Sequence, residues 1–437
     1  MNIQKSKEKT KILIVNVHSS ENAGDLALLQ QTIFYLQSAY ENVDISISSN
    51  WPNEEPLRSL DYKIIPSPWC LLEVWNTHKK PRYQLISFVF CLIYLYIFKF
   101  WNLLKIRPII PVNWQKLFEE FLGSDMIVAV SGNQLFSSGK FGWPLPIIGF
   151  PIFLAFNFKK PVIIFPQSIG PFRYFWEEKY INYLYNRVNK LFIRDFVSLE
   201  RAEKLGIKKS NPQFIPDIAF TYPSIDSLSA KNILDNYGFS PLNKNLGITI
   251  LSKMPSYMDK NNINHYYKEL AETLSKLVSQ RKYKIFVFNQ VSGPTEDEND
   301  LLGAKIVLSF IPVKIRHEIM VVKEKLNPSE LKGCYGQMDV FLATRLHSGI
   351  FALDMRVPTL FVGYLDKTIG VLRSIELDEF FFDLKEVTSE KLTEKLIYMD
   401  NHKDRIISNI NKKMNAVSEK LYKFPEIIKE SISNEKN

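Results

Sequence analysis

The sequence predicts an α/β protein made of two doubly wound, Rossmann-like halves. Three observations predict it. Short apolar runs recur that read as fully buried parallel strands. Nearly every run ends in polar or glycine residues, and most are followed by a helical pattern. The series also occurs twice, on either side of a polar, turn-rich stretch at 222–245 that reads as a linker. A chain of 437 residues has room for two domains, placed here at 1–225 and 226–437.

In the first half, 11–17 is a buried strand, followed by the turn Asn22-Ala23-Gly24-Asp25 and a helix marked by Leu26, Leu29, Ile33 and Leu36. The turn lacks the three spaced glycines of a dinucleotide fingerprint. Asp25 reads either as the cap of that helix or as a partner for a hydroxyl-bearing ligand, since a carboxylate there would repel phosphate. A second strand lies at 44–47, and 51–75 has no clear periodicity. Residues 113–122 form a short amphipathic helix, 126–130 a strand, 145–158 an apolar helix, and 161–165 and 191–193 two further strands. A helix at 198–205 precedes Pro216-Asp217-Ile218-Ala219-Phe220. In the second half, strands at 246–251 and 283–288 flank a helix at 265–280. The acidic run Glu296-Asp297-Glu298-Asn299-Asp300 reads as solvated charge at a helix start rather than a metal site. Residues 314–325 look helical, 339–343 and 359–362 are strands, and the tail beyond Ser389 is helical.

An apolar segment at 83–104 interrupts the first half and reads as a helical insertion. It is long enough to meet a bilayer. The strands before and after it belong to one sheet, so a single crossing is excluded. It either touches lipid from one side, helped by Lys79, Lys80, Arg82, Lys99, Lys105 and Arg107, or packs in the core.

Hydrophobic residues make up 46% and charged residues 23%, which describes a folded rather than a disordered chain. The net charge of +9 admits anionic partners, but the basic residues are dispersed and no nucleic-acid-binding motif appears, so nucleic acid is not expected. Cys70, Cys91 and Cys334 lie far apart and suggest neither disulfides nor a metal cluster; together with a polar, lysine-rich start, they lead us to expect a cytoplasmic protein. No metal or cofactor is expected.

The stretch Thr344-Arg345-Leu346-His347-Ser348-Gly349 stands where a strand hands over to a helix, the edge at which open α/β sheets bind ligands. Arg grips carboxylate or phosphate through two parallel bonds, and His moves protons near neutral pH. On these residues alone, an arginine paired on the surface with a histidine satisfied in the core is as good a reading as a ligand site.

Two Rossmann-like halves joined by a linker suggest a glycosyltransferase-B-like architecture with its site in the cleft. Taken together, Asn22-Ala23-Gly24-Asp25, Gln167-Ser168-Ile169-Gly170-Pro171, Arg194-Asp195 with Ser198, Pro216-Asp217-Ile218-Ala219-Phe220, Thr344-Arg345-Leu346-His347-Ser348 and Tyr364-Leu365-Asp366-Lys367 resemble the polysaccharide pyruvyl transferase family. The resemblance spans roughly 11–370 and departs from the family at Ser131-Gly132-Asn133, where a glycine triplet is usual, and at the apolar insertion. It implies transfer of a pyruvyl group from phosphoenolpyruvate to two sugar hydroxyls of a cell-surface polysaccharide or its lipid-linked precursor. It also implies roles: Arg345, Ser348, Lys367 and Arg194 for the anionic donor, His347 and Asp25 for catalysis, the first moving a proton and the second orienting or deprotonating an acceptor hydroxyl, and Asn22, Gly24 and Asp217 for binding the acceptor. Arg194 has a structural alternative, a pairing with Asp195. The rival readings are a nucleotide-sugar glycosyltransferase and a non-catalytic membrane-associated scaffold.

Overall fold

The computed structural model describes residues 9–73, 81–252 and 260–433. Lys79 and Lys80 of the basic flank lie outside the described residues, as does the side chain of Arg82.

Seven parallel strands form the first sheet: β1 (Thr10–Val17), β2 (Val43–Ser49), β3 (Lys63–Pro66), β4 (Met126–Ala129), β5 (Val162–Gln167), β6 (Lys190–Ile193) and β7 (Gln213–Phe214). Their order is β3-β2-β1-β4-β5-β6-β7. The second sheet holds β8 (Lys244–Thr249), β9 (Tyr283–Phe288), β10 (Ile319–Val322), β11 (Val340–Ala343), β12 (Thr359–Gly363) and β13 (Phe381–Asp383), in the order β10-β9-β8-β11-β12-β13. Each sheet starts at its middle, runs to one edge, then returns to build the other. The switch points fall between β1 and β4 and between β8 and β11, where a crevice opens beyond the strand ends. β1 and β4 are buried on both faces from Ile12 to Val17 and from Met126 to Ala129. That burial is why their sequences run apolar without alternation.

Three readings are corrected. The aperiodic stretch after Trp51 contains β3, a short edge strand whose pairing with β2 through Ile47↔Ile64 carries no local pattern. The stretch taken as a helix from Lys314 is a 3-10 turn, Val313–Glu318, followed by β10. There Val321 and Val322, β-branched and paired with Val287 and Phe288 of β9, settle into the sheet. Asp25 is not the cap of the first helix, Ala23–Ala39; Asn22 is, and its side chain accepts from the Gly24 N–H.

The apolar insertion is the helix Pro81–Leu103. Its Cys91, Leu95 and Phe98 are buried, and Phe98 stands 5.4 Å from Phe118 of the helix Val112–Gly123. Phe88 meets Phe150 of the helix Pro144–Asn157 edge-on at 5.2 Å. Among the described residues, no helix is long and apolar enough to cross a membrane. The last helix, Phe424–Ser433, returns to the first sheet: Phe424 is fully buried and lies 5.3 Å from Phe165 and 5.0 Å from Phe192.

The halves are stitched at the Asn22 turn. The Ala23 N–H donates to the Gln290 carbonyl (3.1 Å), and the Ser292 N–H donates to the Glu21 carbonyl (2.9 Å). Lys325 pairs with Glu21 at 2.6 Å, and across the same divide Arg201 pairs with Asp366 at 2.8 Å.

Close packing of the strand β12 on the helix Leu346–Asp354 depends on Gly349. A Cβ there would stand 2.0 Å from the Phe361 ring. Gly349→Ala should therefore cost about 1–3 kcal/mol of stability through overpacking. Chemical denaturation measures it, and an unchanged midpoint would show that the ring moves aside freely.

Candidate active site

The ends of β1, β4, β6, β11 and β12 converge on one cleft of about 280 Å³ between the halves. Its walls include His18, Asn22, Asp25, Asn133, Gln134, Arg194, Gln290, Arg345, His347, Tyr364 and Lys367. These groups come from both halves, so the site exists only when the halves are joined.

On the first wall, Asn22 does two things: its carbonyl oxygen caps the Gly24 N–H at 3.0 Å, and its amide donates to Asp25 Oδ2 at 3.0 Å. Asp25 thus faces the cleft with its rotamer fixed. His18 Nδ1 lies 3.6 Å from the same carboxylate oxygen. The loop carrying them is braced by Glu54, which accepts from the Ser19 hydroxyl (2.6 Å) and the Ser20 N–H (2.5 Å). His18 and Glu54 were not singled out as site residues. The position of His18 at a strand end was a usable signal, whereas Glu54 lies in the stretch without periodicity.

Arg194 enters at the end of β6. Its side chain is 1% exposed, and Nη1 donates to Asp217 Oδ2 at 2.7 Å while Nε donates to Ser168 Oγ at 2.9 Å. The alternative pairing with Asp195 is absent. Asp195 instead caps the helix Phe196–Lys204, accepting from the Ser198 N–H at 2.7 Å. No described residue accepts from Arg194 Nη2, and the guanidinium lines the cleft.

On the facing wall, Arg345 is the N-cap residue of the helix Leu346–Asp354. Both Nε (3.1 Å) and Nη2 (2.6 Å) donate to Asp300 Oδ1. Asp300, read from sequence as solvated, is 2% exposed and accepts from the Val291 N–H with its other oxygen. Burial pushes its carboxyl up, and the Arg345 charge opposes that shift. Among the described residues no group of His, Cys, Asp and Glu is arranged to hold a metal.

His347 occupies the centre. Burial lowers its imidazole to about 4, against the opposing pull of Asp217, whose Oδ2 lies 3.9 Å from Nε2. The ring is therefore neutral at neutral pH, and among the described residues Nε2 has no hydrogen-bond partner. Lys367, at the start of the helix Asp366–Ser374, is lowered to about 8, first by burial and then by Arg194. It donates no hydrogen bond to any described residue.

Three expected site residues do not line the cleft. Ser348 is fully buried, with its hydroxyl 2.8 Å from Thr249 Oγ1 and donating to the Arg345 carbonyl at 2.7 Å; it joins the ends of β8 and β11. Asp217 lies behind Arg194 and His347, and caps the 3-10 turn Ile218–Thr221. Gly24 is covered by His347: a Cβ at this glycine would stand 2.1 Å from Nδ1, so the turn has glycine because the imidazole lies on its backbone.

A family model described as polysaccharide pyruvyl transferase matches residues 22–366. The amylovoran biosynthesis protein AmsJ of Erwinia amylovora is 25% identical over 408 residues, covering 90% of this chain and 93% of that protein. The chain is similar in fold to Anabaena Alr3699/HepE solved with UDP-glucose (TM-score 0.59, 10% identity, 98% of this chain and 100% of that one). It is likewise similar to a glycosyltransferase from Rickettsia africae ESF-5 (TM-score 0.54, 13% identity, the same coverage). Both likenesses establish a glycosyltransferase-B-like fold, the architecture expected from the sequence.

The buried, neutral His347 makes a prediction for pH. Its folded-state pKa lies below the ordinary value of about 6.5, so the unfolded chain binds the extra proton first as pH falls. The stability owed to the neutral ring is fully present above about 6.5 and is lost as pH drops towards 4. His347→Gln should flatten that limb of the stability–pH curve. A limb of unchanged slope would show that His347 is not the buried titrating group.

Proposed function

The chain belongs to the polysaccharide pyruvyl transferase family, and on that premise we propose that it moves the pyruvyl group of phosphoenolpyruvate onto two hydroxyls of one sugar. Two new C–O bonds form at the enol carbon, the C–O bond to phosphate breaks, the methylene gains a proton to become methyl, and the second hydroxyl proton leaves with phosphate. The product is a cyclic ketal carrying a free carboxylate. The acceptor is a cell-surface polysaccharide or its lipid-linked precursor, in keeping with a relative named for biosynthesis of amylovoran. We assign the reaction to the cytoplasmic side of the cell membrane; the apolar, outward side of the helix Pro81–Leu103 supports a peripheral or monotopic contact there.

The observation that carries this reading is the set of cations that lines the cleft. Arg194, Arg345 and Lys367 supply three cations for a small molecule bearing both carboxylate and phosphate. Asp25 and His18 stand together after β1, in the same half as Arg194, where a carboxylate serves a hydroxyl well. Asp217 and Asp300 each fix one arginine and leave donor atoms free.

In the proposed mechanism, Arg194, Arg345 and Lys367 hold the donor. Its negative charge offsets the desolvation that keeps His347 neutral, so the imidazole gains a proton once the donor is seated and passes it to the methylene. Cationic character then develops at the enol carbon. Asp25, oriented by Asn22 and backed by His18, draws the proton from the attacking hydroxyl.

Steady-state kinetics test these roles. His347→Ala should lower kcat by ~10²–10⁴-fold with modest change in KM for phosphoenolpyruvate; normal turnover at saturating donor would remove the proton-transfer role. Arg345→Lys keeps a cation beside Asp300 but loses the planar two-point grip, so it should raise the donor KM. Asp25→Asn should impair use of the acceptor while donor affinity stays near normal, and a loss confined to donor affinity would reverse its assignment.

A further inference from the structure

We propose that the outward face of the helix Pro81–Leu103, continued by the turn up to Val112, is a monotopic docking surface for an anionic lipid bilayer. This rests on the reading above of an enzyme working at the membrane, and it names the residues that make the contact.

The helix carries two apolar stripes. Cys91, Leu95 and Phe98 form one, spent on the core. Val89, Ile93, Tyr96, Phe100 and Leu103 form the other on the opposite side, at the spacing of a single helix face, and all are exposed. A core helix needs only the first stripe. The apolar surface does not stop at the helix end: Leu104, Ile106, Ile109 and Val112 continue it, with Leu103 78% and Ile109 82% exposed. Scattered exposed apolar residues are ordinary, but a continuous face marks an interaction site.

Charge selects the occupant. Residues 88–112, which span this face, contain Lys99, Lys105 and Arg107, all exposed, and no Asp or Glu; Lys116, further on, stands beside Glu119 and Glu120. A second copy packed across a two-fold axis would set this one-signed basic rim against itself. Anionic headgroups attract the same rim while the apolar side chains enter the acyl boundary. The helix packs through Phe88 on Phe150, in the helix Pro144–Asn157 that supplies Ile148 to the cleft wall. The amino end of the helix thus lies nearest the cleft, and its other end, where Lys99 donates to the Asn157 carbonyl, lies further from it.

Flotation of the purified full chain with vesicles tests the proposal. Binding is expected to phosphatidylglycerol-containing vesicles and to be weaker with phosphatidylcholine alone. Phe100→Ser/Leu103→Ser/Ile109→Ser should lower partitioning by about 10-fold or more, and Lys105→Gln/Arg107→Gln should lower binding to the anionic vesicles selectively. Both variants alter exposed residues and should keep wild-type turnover with a soluble acceptor, which certifies folding. Wild-type protein that ignores vesicles, or an apolar triple variant that still floats, overturns the proposal. So does a dimer of the wild type that the triple variant breaks without any vesicle binding. Pyruvyl transfer without vesicle binding would sink the anchor and leave the reaction standing; vesicle binding without pyruvyl transfer would do the reverse.

Discussion

A guanidinium with 1% of its side chain exposed has to be neutralised where it lies, and Arg194 is neutralised by Asp217 at 2.7 Å. Removing either partner would strand a buried charge, which costs several kcal/mol. The pair fixes the end of β6 relative to the turn Ile218–Thr221, because Asp217 also caps that turn through the Ala219 N–H. That turn packs against the first helix of one half and the helix Leu346–Asp354 of the other. The same carboxylate oxygen faces His347 across 3.9 Å. One buried ion pair thus sets the position of an arginine, the environment of the imidazole and the turn on which helices of both halves pack.

Electrostatics give the cleft an order of events. Burial, Arg194 and Lys367 keep His347 neutral, and Arg194 helps to lower Lys367. An anionic donor reverses this balance. Under the proposed mechanism, the acid becomes competent only when there is a donor to protonate. Gly24 contributes from beneath, since any side chain there would displace the ring from its place against Asp217.

Strand positions and the cleft-facing motifs were readable because they depend on local pattern: apolar runs buried on both faces, and polar groups at their carboxyl ends. Asn22, Asp25, Arg194, Arg345, His347 and Lys367 fall where that pattern expects, at strand ends that the topology brings together. The supporting residues were not readable, because burial is a long-range property. Asp300 closes an acidic run that looks solvated, and only the approach of Arg345 from 45 positions along the chain shows otherwise. Ser348 sits beside two cleft residues in sequence, yet the helix turns its hydroxyl towards Thr249 and away from the cleft. β3 escaped notice because a short edge strand takes its register from β2 rather than from its own sequence. The helix Pro81–Leu103 was legible as apolar but not as two-faced, since what separates its stripes is the packing of Trp114, Phe118 and Phe150 against one of them.

The central claim is that the cleft uses phosphoenolpyruvate as the donor of a pyruvyl ketal. Phosphoenolpyruvate labelled with ¹³C at its enol carbon, incubated with the protein and lipid-linked or polysaccharide acceptors, tests it most directly by NMR. The account predicts that the vinyl carbon signal gives way to a ketal carbon attached to the glycan, with one phosphate released per ketal formed. Phosphoenolpyruvate left intact while a nucleotide sugar such as UDP-glucose is consumed and its sugar appears on the acceptor would contradict it.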